Sequence, residues 1–256
     1  MRTDKTLEER RGRIMALLME RRRMTVDELA GHFHVTGATI RTDLTALMHQ
    51  DKVIRTLGSA MIVEQGPVFP LAERLKIMAD EKRAIGKLAA SLVQPGDVIA
   101  LDASSTTLAM APYLRGIEGL TILTNCLAVA NEFVSVPQAK VIMPGGYLQH
   151  ESSSLVGDDT VNFLKHIRVQ TAFIGARSIG IETGLCDSDP ATMEFKRRLI
   201  QISKKVVALV DSSKWDLVAL TSFASLDQIH VLVSDANIAP RHVRSLASHN
   251  IQILTC

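Results

Sequence analysis

Val98-Ile99-Ala100-Leu101-Asp102-Ala103-Ser104-Ser105-Thr106-Thr107 is the stretch on which the fold turns. Its first four residues are apolar and follow the turn-forming Gln94-Pro95-Gly96-Asp97, so they read as a short buried strand. A hydroxyl-rich loop comes next and opens a helix over 107–114. Outward from this unit the alternation continues. A helix is predicted over 81–93. Strands follow at 121–124, 140–143, 171–174, 206–210, 228–233 and 251–254, with helices at 127–134, 191–204 and 240–248. Apolar strands alternating with helices predict an α/β domain with a mostly parallel sheet covered on both faces.

The loop itself is a candidate site. Hydroxyls and unpaired backbone N–H groups at a helix N-terminus attract anions, and the carboxyl ends of parallel strands are where open sheets hold ligands. The same residues also suit a plain helix cap with no ligand, and spacing alone leaves both readings open.

The first 60 residues follow a different, helical pattern. Leu7, Ile14, Leu17 and Leu18 recur near helical spacing over 7–21, and Arg21-Arg22-Arg23 supplies positive charge at that helix's end. Thr25-Val26-Asp27-Glu28 fits a capping box, and its helix ends near His32. Thr36 caps a third helix from Gly37 to about His49, with Ile40, Leu44 and Leu47 on one face. Two short helices joined by a tight turn form a helix-turn-helix, and the β-prone runs 52–56 and 60–63 around Leu57-Gly58-Ser59 add a wing. In such a motif the start of the second helix meets base edges, which singles out Thr36, Gly37, Ala38, Thr39, Arg41 and Thr42, with Arg55 in the wing. A helical protein-interaction module with solvated arginines is the alternative. Residues 1–60 carry a net +3 and the remainder −1, a small excess that suits a head meeting phosphate and equally a solvated surface; it is the helix-turn-helix pattern that favours DNA.

These residues resemble the deoxyribose-operon-repressor (DeoR-type) family. The span 9–60 carries the resemblance through Thr25-Val26-Asp27-Glu28-Leu29-Ala30, Val35-Thr36, Thr39-Ile40-Arg41-Thr42-Asp43-Leu44, Val53-Ile54-Arg55 and Gly58-Ser59-Ala60. Thr42 stands where the family usually has a second basic residue, and Leu57-Gly58-Ser59-Ala60 where it has His-Gly-Gly-Ala. The resemblance extends over 7–254. It implies that Asp102, Ser104, Ser105, Thr106 and Thr107 form a sugar-phosphate loop, with Ser104 in the place of a glycine that a positive φ would demand. It further implies pocket roles for Asn125 toward sugar hydroxyls, Gly145-Gly146 for close backbone approach, Glu194 and Lys196 as an E-x-K pair, and Lys214 as a point charge for phosphate. Asp187 and Asp189 precede Pro190 in an irregular stretch near these positions.

The expectation is therefore a winged helix-turn-helix domain over 1–63, a linker over 64–80 holding Gly66, Pro67 and Pro70, and a sugar-phosphate sensor domain over 81–256. The protein reads as a repressor of a carbohydrate operon that binds a double-stranded operator as a homo-oligomer, dimer or tetramer, under control of a phosphorylated sugar. The rival is a sugar-phosphate isomerase in which Asp102, Glu194, Lys196 and Lys214 move protons. An isomerase has no use for a helix-turn-helix.

Composition agrees with this frame. The 256 residues are 46% hydrophobic and 22% charged, a globular balance, and the length favours two domains. Three scattered cysteines argue against a disulfide framework and for a reducing cytoplasm. The densest apolar run, Val206–Val210, is too short to span a bilayer, and no membrane partner is expected. The eight histidines lack metal-binding spacing. No metal, cofactor or catalytic residue is expected.

Overall fold

A computed structural model describes residues 7, 9–14, 17–18, 23–48, 53–56, 59–62, 70–215, 217 and 221–256, the side chains at 23, 48, 53–56 and 59–62 lying outside the description. The chain divides into two compact units, residues 1–67 with 215–220, and residues 68–214 with 221–256.

In the first unit, positions 9–14, 17 and 18 are helical (α1). Strand β1 (Arg23–Thr25) and helices α2 (Val26–Phe33) and α3 (Gly37–Met48) follow, then strands β2 (Val53–Thr56) and β3 (Ser59–Ile62). The capping box forms as the sequence predicts. Thr25 Oγ1 accepts the Glu28 N–H at 3.1 Å, and the Glu28 carboxylate accepts the Thr25 N–H at 2.7 Å. The tight turn after α2 is made by His34 at φ 53°, a left-handed conformation that a histidine tolerates better than most residues. Thr36 Oγ1 then accepts the Thr39 N–H at 3.2 Å and starts α3. Ile14 and Leu18 of α1, Leu29 of α2, and Ile40, Leu44 and Leu47 of α3 make the shared core.

The wing is present as an antiparallel pairing of β2 with β3, Arg55 opposite Ala60. Its third strand is a correction to the sequence reading. Arg23 does not close a helix but opens β1, which pairs with β3 opposite Met61; Arg21 and Arg22 lie outside the described residues.

The second unit opens with α4 (Leu71–Arg74), α5 (Ala79–Ala90), β4 (Val98–Leu101), α6 (Ser105–Leu114), β5 (Thr121–Thr124), α7 (Leu127–Asn131) and β6 (Lys140–Ile142). Then come β7 (Tyr147–Gln149), β8 (Ser154–Val156), α8 (Asp158–Phe163), β9 (Val169–Gly175), β10 (Ser178–Gly180) and β11 (Gly184–Asp187). The chain ends with α9 (Pro190–Ile202), β12 (Ser203–Leu209), β13 (Thr221–Ala224), β14 (Val231–Ser234), α10 (Pro240–Leu246) and β15 (Gln252–Thr255).

Seven strands form one parallel sheet in the order β15-β14-β12-β9-β4-β5-β6. The carboxyl halves of its central strands are apolar and buried, and Ile99, Leu101, Phe173, Val207, Leu209 and Val233 fill the core. From β4 the chain moves one way to β5 and β6, then returns to β9 on the other side of β4. The crevice at the carboxyl ends of β4 and β9 is therefore the topological switch point, where open sheets place ligands.

The sequence reading lacks two small features of this unit, the β7–β8 hairpin and the antiparallel sheet β10-β11-β13. Their strands are three or four residues long, too short for alternation to register. The predicted helix over 127–134 ends already at Asn131. Helices α5 and α6 both run antiparallel to β4, so they lie parallel to each other. They touch at Gly86, where an added Cβ would stand 2.7 Å from the Ala109 carbonyl oxygen.

Candidate nucleic-acid interface and effector site

On α3, Ala38, Arg41, Thr42 and Thr45 are exposed and recur at helical spacing, so they form one solvent face opposite Ile40, Leu44 and Leu47. Thr42 and Thr45 donate their hydroxyls back to the Ala38 and Arg41 carbonyls, at 3.1 and 2.8 Å, which leaves their methyl groups and oxygen lone pairs outward. Thr36 is taken up by the cap, and Gly37 and Thr39 are half-buried beside it. Arg41, Thr42, Thr45 and Ala46 line a groove of 410 Å³ with Arg11 of α1. The helix is braced from below by Asp43, which is fully buried and accepts from Arg10 Nε at 2.6 Å and Arg11 Nε at 3.1 Å. The hydrogen bond to Asp43 raises the Arg10 pKa above its already high ordinary value. Thr45 and Arg11 escape the sequence reading, although Thr45 follows Ala38, Arg41 and Thr42 on the same helical stripe. The side chain of Arg55 lies outside the description.

In the second unit the loop after β4 divides into two kinds of residue. Asp102, Ser104 and Thr107 are engaged within the protein. Asp102 Oδ1 accepts the Ser104 N–H at 3.2 Å and the Thr107 hydroxyl at 2.8 Å, while Ser104 Oγ caps α6 by accepting the Thr107 N–H at 3.1 Å. Ser104 has φ −94°, so this position asks for no positive φ and any L-residue fits its backbone. Its side chain packs against the Cα of Gly175, where an added Cβ would meet Ser104 Cβ at 2.5 Å. Ser105 and Thr106 behave differently. They occupy the first turn of α6, their N–H groups have no intrahelical acceptor, and among the described residues their hydroxyls have no hydrogen-bond partner.

Lys196 and Asp102 form the anchor of this site. Lys196, 3% exposed, donates from Nζ to the Gly175 carbonyl at 3.0 Å and to Asp187 Oδ2 at 2.5 Å, and stands 3.4 Å from Asp102 Oδ2. Burial opposes its charge, but Asp187 and Asp102 outweigh burial and hold the ammonium above its usual pKa. Burial likewise opposes the charge of Asp187, and Lys196 outweighs it and holds that carboxyl below the usual range. Asp187 thus joins the cluster from the end of β11, whereas Asp189 caps α9 by accepting the Thr192 N–H at 3.0 Å.

Asn125, at the end of β5, is fully buried. Its Nδ2 donates to the Leu155 carbonyl at 2.9 Å, which fixes the amide, and Oδ1 has no partner among the described residues. Asp211 Oδ2, at the end of β12, is similarly buried and unpartnered among them, and Lys214 follows in a short 3-10 turn. Buried acceptors in this condition are expected where something else completes them.

Other predicted residues stand apart. Glu194 lies two positions from Lys196 on α9, on another face of the helix, where it is half exposed and pairs with Arg197 at 3.7 Å. Of the Gly145-Gly146 pair, only Gly146 is closely packed; a Cβ at Gly145 would meet open space. Thr160 donates to the Gly145 carbonyl at 2.6 Å, and a Cβ at Gly146 would meet Thr160 and, at 2.6 Å, the Val156 carbonyl oxygen. Of the residues in the isomerase reading, Asp102 and Lys196 come together, with Asp187 sharing the ammonium, while Glu194 faces Arg197.

Arg74 and Lys82, which lie close to the Asp102–Asp187 charges and to Asp211 respectively, are missing from the sequence reading. Burial lowers the pKa of Arg74, with Asp187 and Asp102 opposing that shift. Burial also lowers the pKa of Lys82, to about 8. Among the described residues there is no cluster of three metal-ligating side chains, and no helix is long and apolar enough to cross a membrane.

Comparison with known proteins agrees with both halves. Residues 10–66 match the DeoR-like helix-turn-helix domain, and residues 77–236 match the DeoR C terminal sensor domain. The HTH-type transcriptional regulator GolR of Listeria innocua serovar 6a is 34% identical over 231 residues, covering 90% of this chain and 91% of that protein. The HTH-type transcriptional repressor GlcR of Bacillus subtilis is also 34% identical, over 89% of this chain and 88% of its own. The glycerol-3-phosphate regulon repressor of Escherichia coli is 27% identical over 97% of this chain and 98% of its own. A solved ribose 5-phosphate isomerase A from Methanocaldococcus jannaschii is 19% identical, with a TM-score of 0.41 over 54% of this chain and 55% of that one.

Proposed function

The chain belongs to the DeoR family of helix-turn-helix transcriptional regulators, and we propose that it represses an operon of carbohydrate metabolism under control of a phosphorylated sugar. The first unit reads a double-stranded operator with α3, Arg41 reaching a guanine edge or phosphate from the exposed stripe. Two-fold operators call for paired heads, so the working form is a homo-oligomer with half-sites about one helical turn apart.

The observation that carries the effector reading is the pair Ser105 and Thr106. Two hydroxyls and two helix-start N–H groups stand unengaged at the switch point, and the unpartnered acceptor of Asn125 lies at the same end of the neighbouring strand β5. Phosphate suits the first turn of α6, Lys214 adds a positive charge, and Asn125 Oδ1 accepts a sugar hydroxyl. In this reading Asp102, Ser104, Thr107 and Lys196 shape the loop rather than touch the ligand. That one relative is named for a glycerol 3-phosphate regulon supports a small phosphorylated polyol or sugar as the class.

The test is a thermal-shift screen against sugar phosphates and their unphosphorylated parents. Ligand at 100 times Kd stabilises the native state by about 2.7 kcal/mol. A shift with a phosphorylated sugar and none with its parent is expected, and Ser105→Ala combined with Lys214→Ala should abolish it while leaving operator binding intact. A normal shift in that double variant would overturn the site.

A further inference from the structure

The sensor unit buries two lysines and treats them in opposite ways. Lys196 is matched by two carboxylates. Lys82, 2% exposed, donates from Nζ to the Arg74 carbonyl at 2.8 Å and to the Ile77 carbonyl. Both acceptors are neutral, and among the described residues no carboxylate pairs with it. Asp211 and Glu81 attract the ammonium, Lys214 and Arg74 repel it, and burial outweighs them all. A buried charge left in this state is costly, and such groups cluster at functional sites.

Its place in the fold says which site. Parallel helices α5 and α6 touch at Gly86 and Ala109–Met110. One turn earlier on each, Lys82 lies level with Ser105 and Thr106, at the same end of the sheet as Asp211 and Lys214. Lys82 also holds a particular segment. Leu71 donates its N–H to the Glu151 carbonyl at 2.8 Å, so residues 71–78 are tied at one end to the β7–β8 turn and at the other to Lys82. This segment is the first described part of the sensor unit after the DNA-binding sequence.

We propose that Lys82 is an anion-sensing residue of the effector site: the bound phosphate supplies the counter-charge that the protein withholds from the buried ammonium, and the ammonium transmits it to the carbonyls of residues 71–78. The inference rests on reading the Ser105–Thr106 site as an anion site. Ligand binding then draws a proton onto Lys82 and tightens its hold on this segment.

Calorimetric titration of the full-length protein with inorganic phosphate at pH 8, in two buffers of different ionisation enthalpy, tests this. Wild-type protein should take up about half a proton on binding. Lys82→Met should bind roughly tenfold more weakly or worse, and without that uptake. Lys82→Arg should keep the affinity and lose the uptake, because guanidinium stays charged. Wild-type affinity and proton uptake in Lys82→Met would overturn the proposal. If Lys82→Met does not fold, unchanged uptake in Lys82→Arg overturns it equally. Absence of phosphate binding by the wild type is a separate result, which removes the anion-site reading and this inference with it.

Discussion

The N–H of Gly175 donates to Asp102 Oδ2 at 3.1 Å, tying together the ends of the two strands between which the chain reverses direction across the sheet. The Gly175 carbonyl accepts from Lys196 at 3.0 Å, and Lys196 in turn faces Asp102. The two backbone groups of one glycine, one carboxylate and one ammonium thus tie the switch-point strand ends together. The loop carrying Ser105 and Thr106 inherits that position.

Asp102→Asn should loosen this knot. Asparagine has one acceptor oxygen where the carboxylate serves Ser104, Thr107, Gly175 and Lys196. Asp187 still pairs Lys196, so the expected loss is about 2–4 kcal/mol rather than the full cost of an orphaned buried charge. Urea unfolding followed by circular dichroism measures it, and a loss below about 1 kcal/mol would show that the knot is not a principal support.

Gly86→Ala should separate α5 from α6. The added methyl would stand 2.7 Å from the Ala109 carbonyl oxygen and 2.8 Å from the Met110 nitrogen, both backbone atoms that cannot swing aside. A destabilisation of about 1–3 kcal/mol is expected from such overpacking. Phosphate affinity should fall with it, because Lys82 and Ser105 lie one turn from the contact.

Arg41→Ala should weaken specific operator binding by about 1–3 kcal/mol, or roughly 5–150-fold, with a smaller effect on unrelated DNA. Fluorescence anisotropy with operator and scrambled duplexes separates the two. Equal losses on both would reassign Arg41 to the phosphate backbone.

Lys82 predicts a pH dependence of stability with a definite sign. Its pKa falls from 10.5 in the unfolded chain to about 8 in the folded one. Between these values the unfolded state binds more protons, so this group's contribution makes stability rise with pH through that window. The gain is on the order of 1–3 kcal/mol. The difference between wild type and Lys82→Met, measured at pH 7.5 and 9.5, isolates it: the wild type should gain on the variant at the higher pH.

The parts legible in the sequence are those whose causes are local. Thr25 with Glu28, and Thr36 before Gly37, announce their helices because capping involves residues three apart. The strand Val98–Leu101 and its loop are legible for the same reason. Lys82 and Arg74 are not. Glu73, Arg74, Lys76, Asp80, Glu81, Lys82 and Arg83 make a charged run with nothing in it to mark one lysine for burial, and it is tertiary packing around α5, with the Arg74 and Ile77 carbonyls, that encloses Lys82. Glu194 illustrates the converse. A two-residue spacing to Lys196 looks like a pair in sequence, but a helix turns the two side chains to different faces.

The arginine pair beneath α3 bears on how the head meets DNA. Arg10 and Arg11 already have a counter-charge in the buried carboxylate of Asp43. That one carboxylate cancels one of the two positive charges, so the pair offers a duplex less charge than two free arginines and releases fewer counterions on contact. The plot of log affinity against log salt should therefore be shallower than the basic residues of the first 60 positions suggest. Operator binding should persist through rises in ionic strength that would strip a head relying on bare charge.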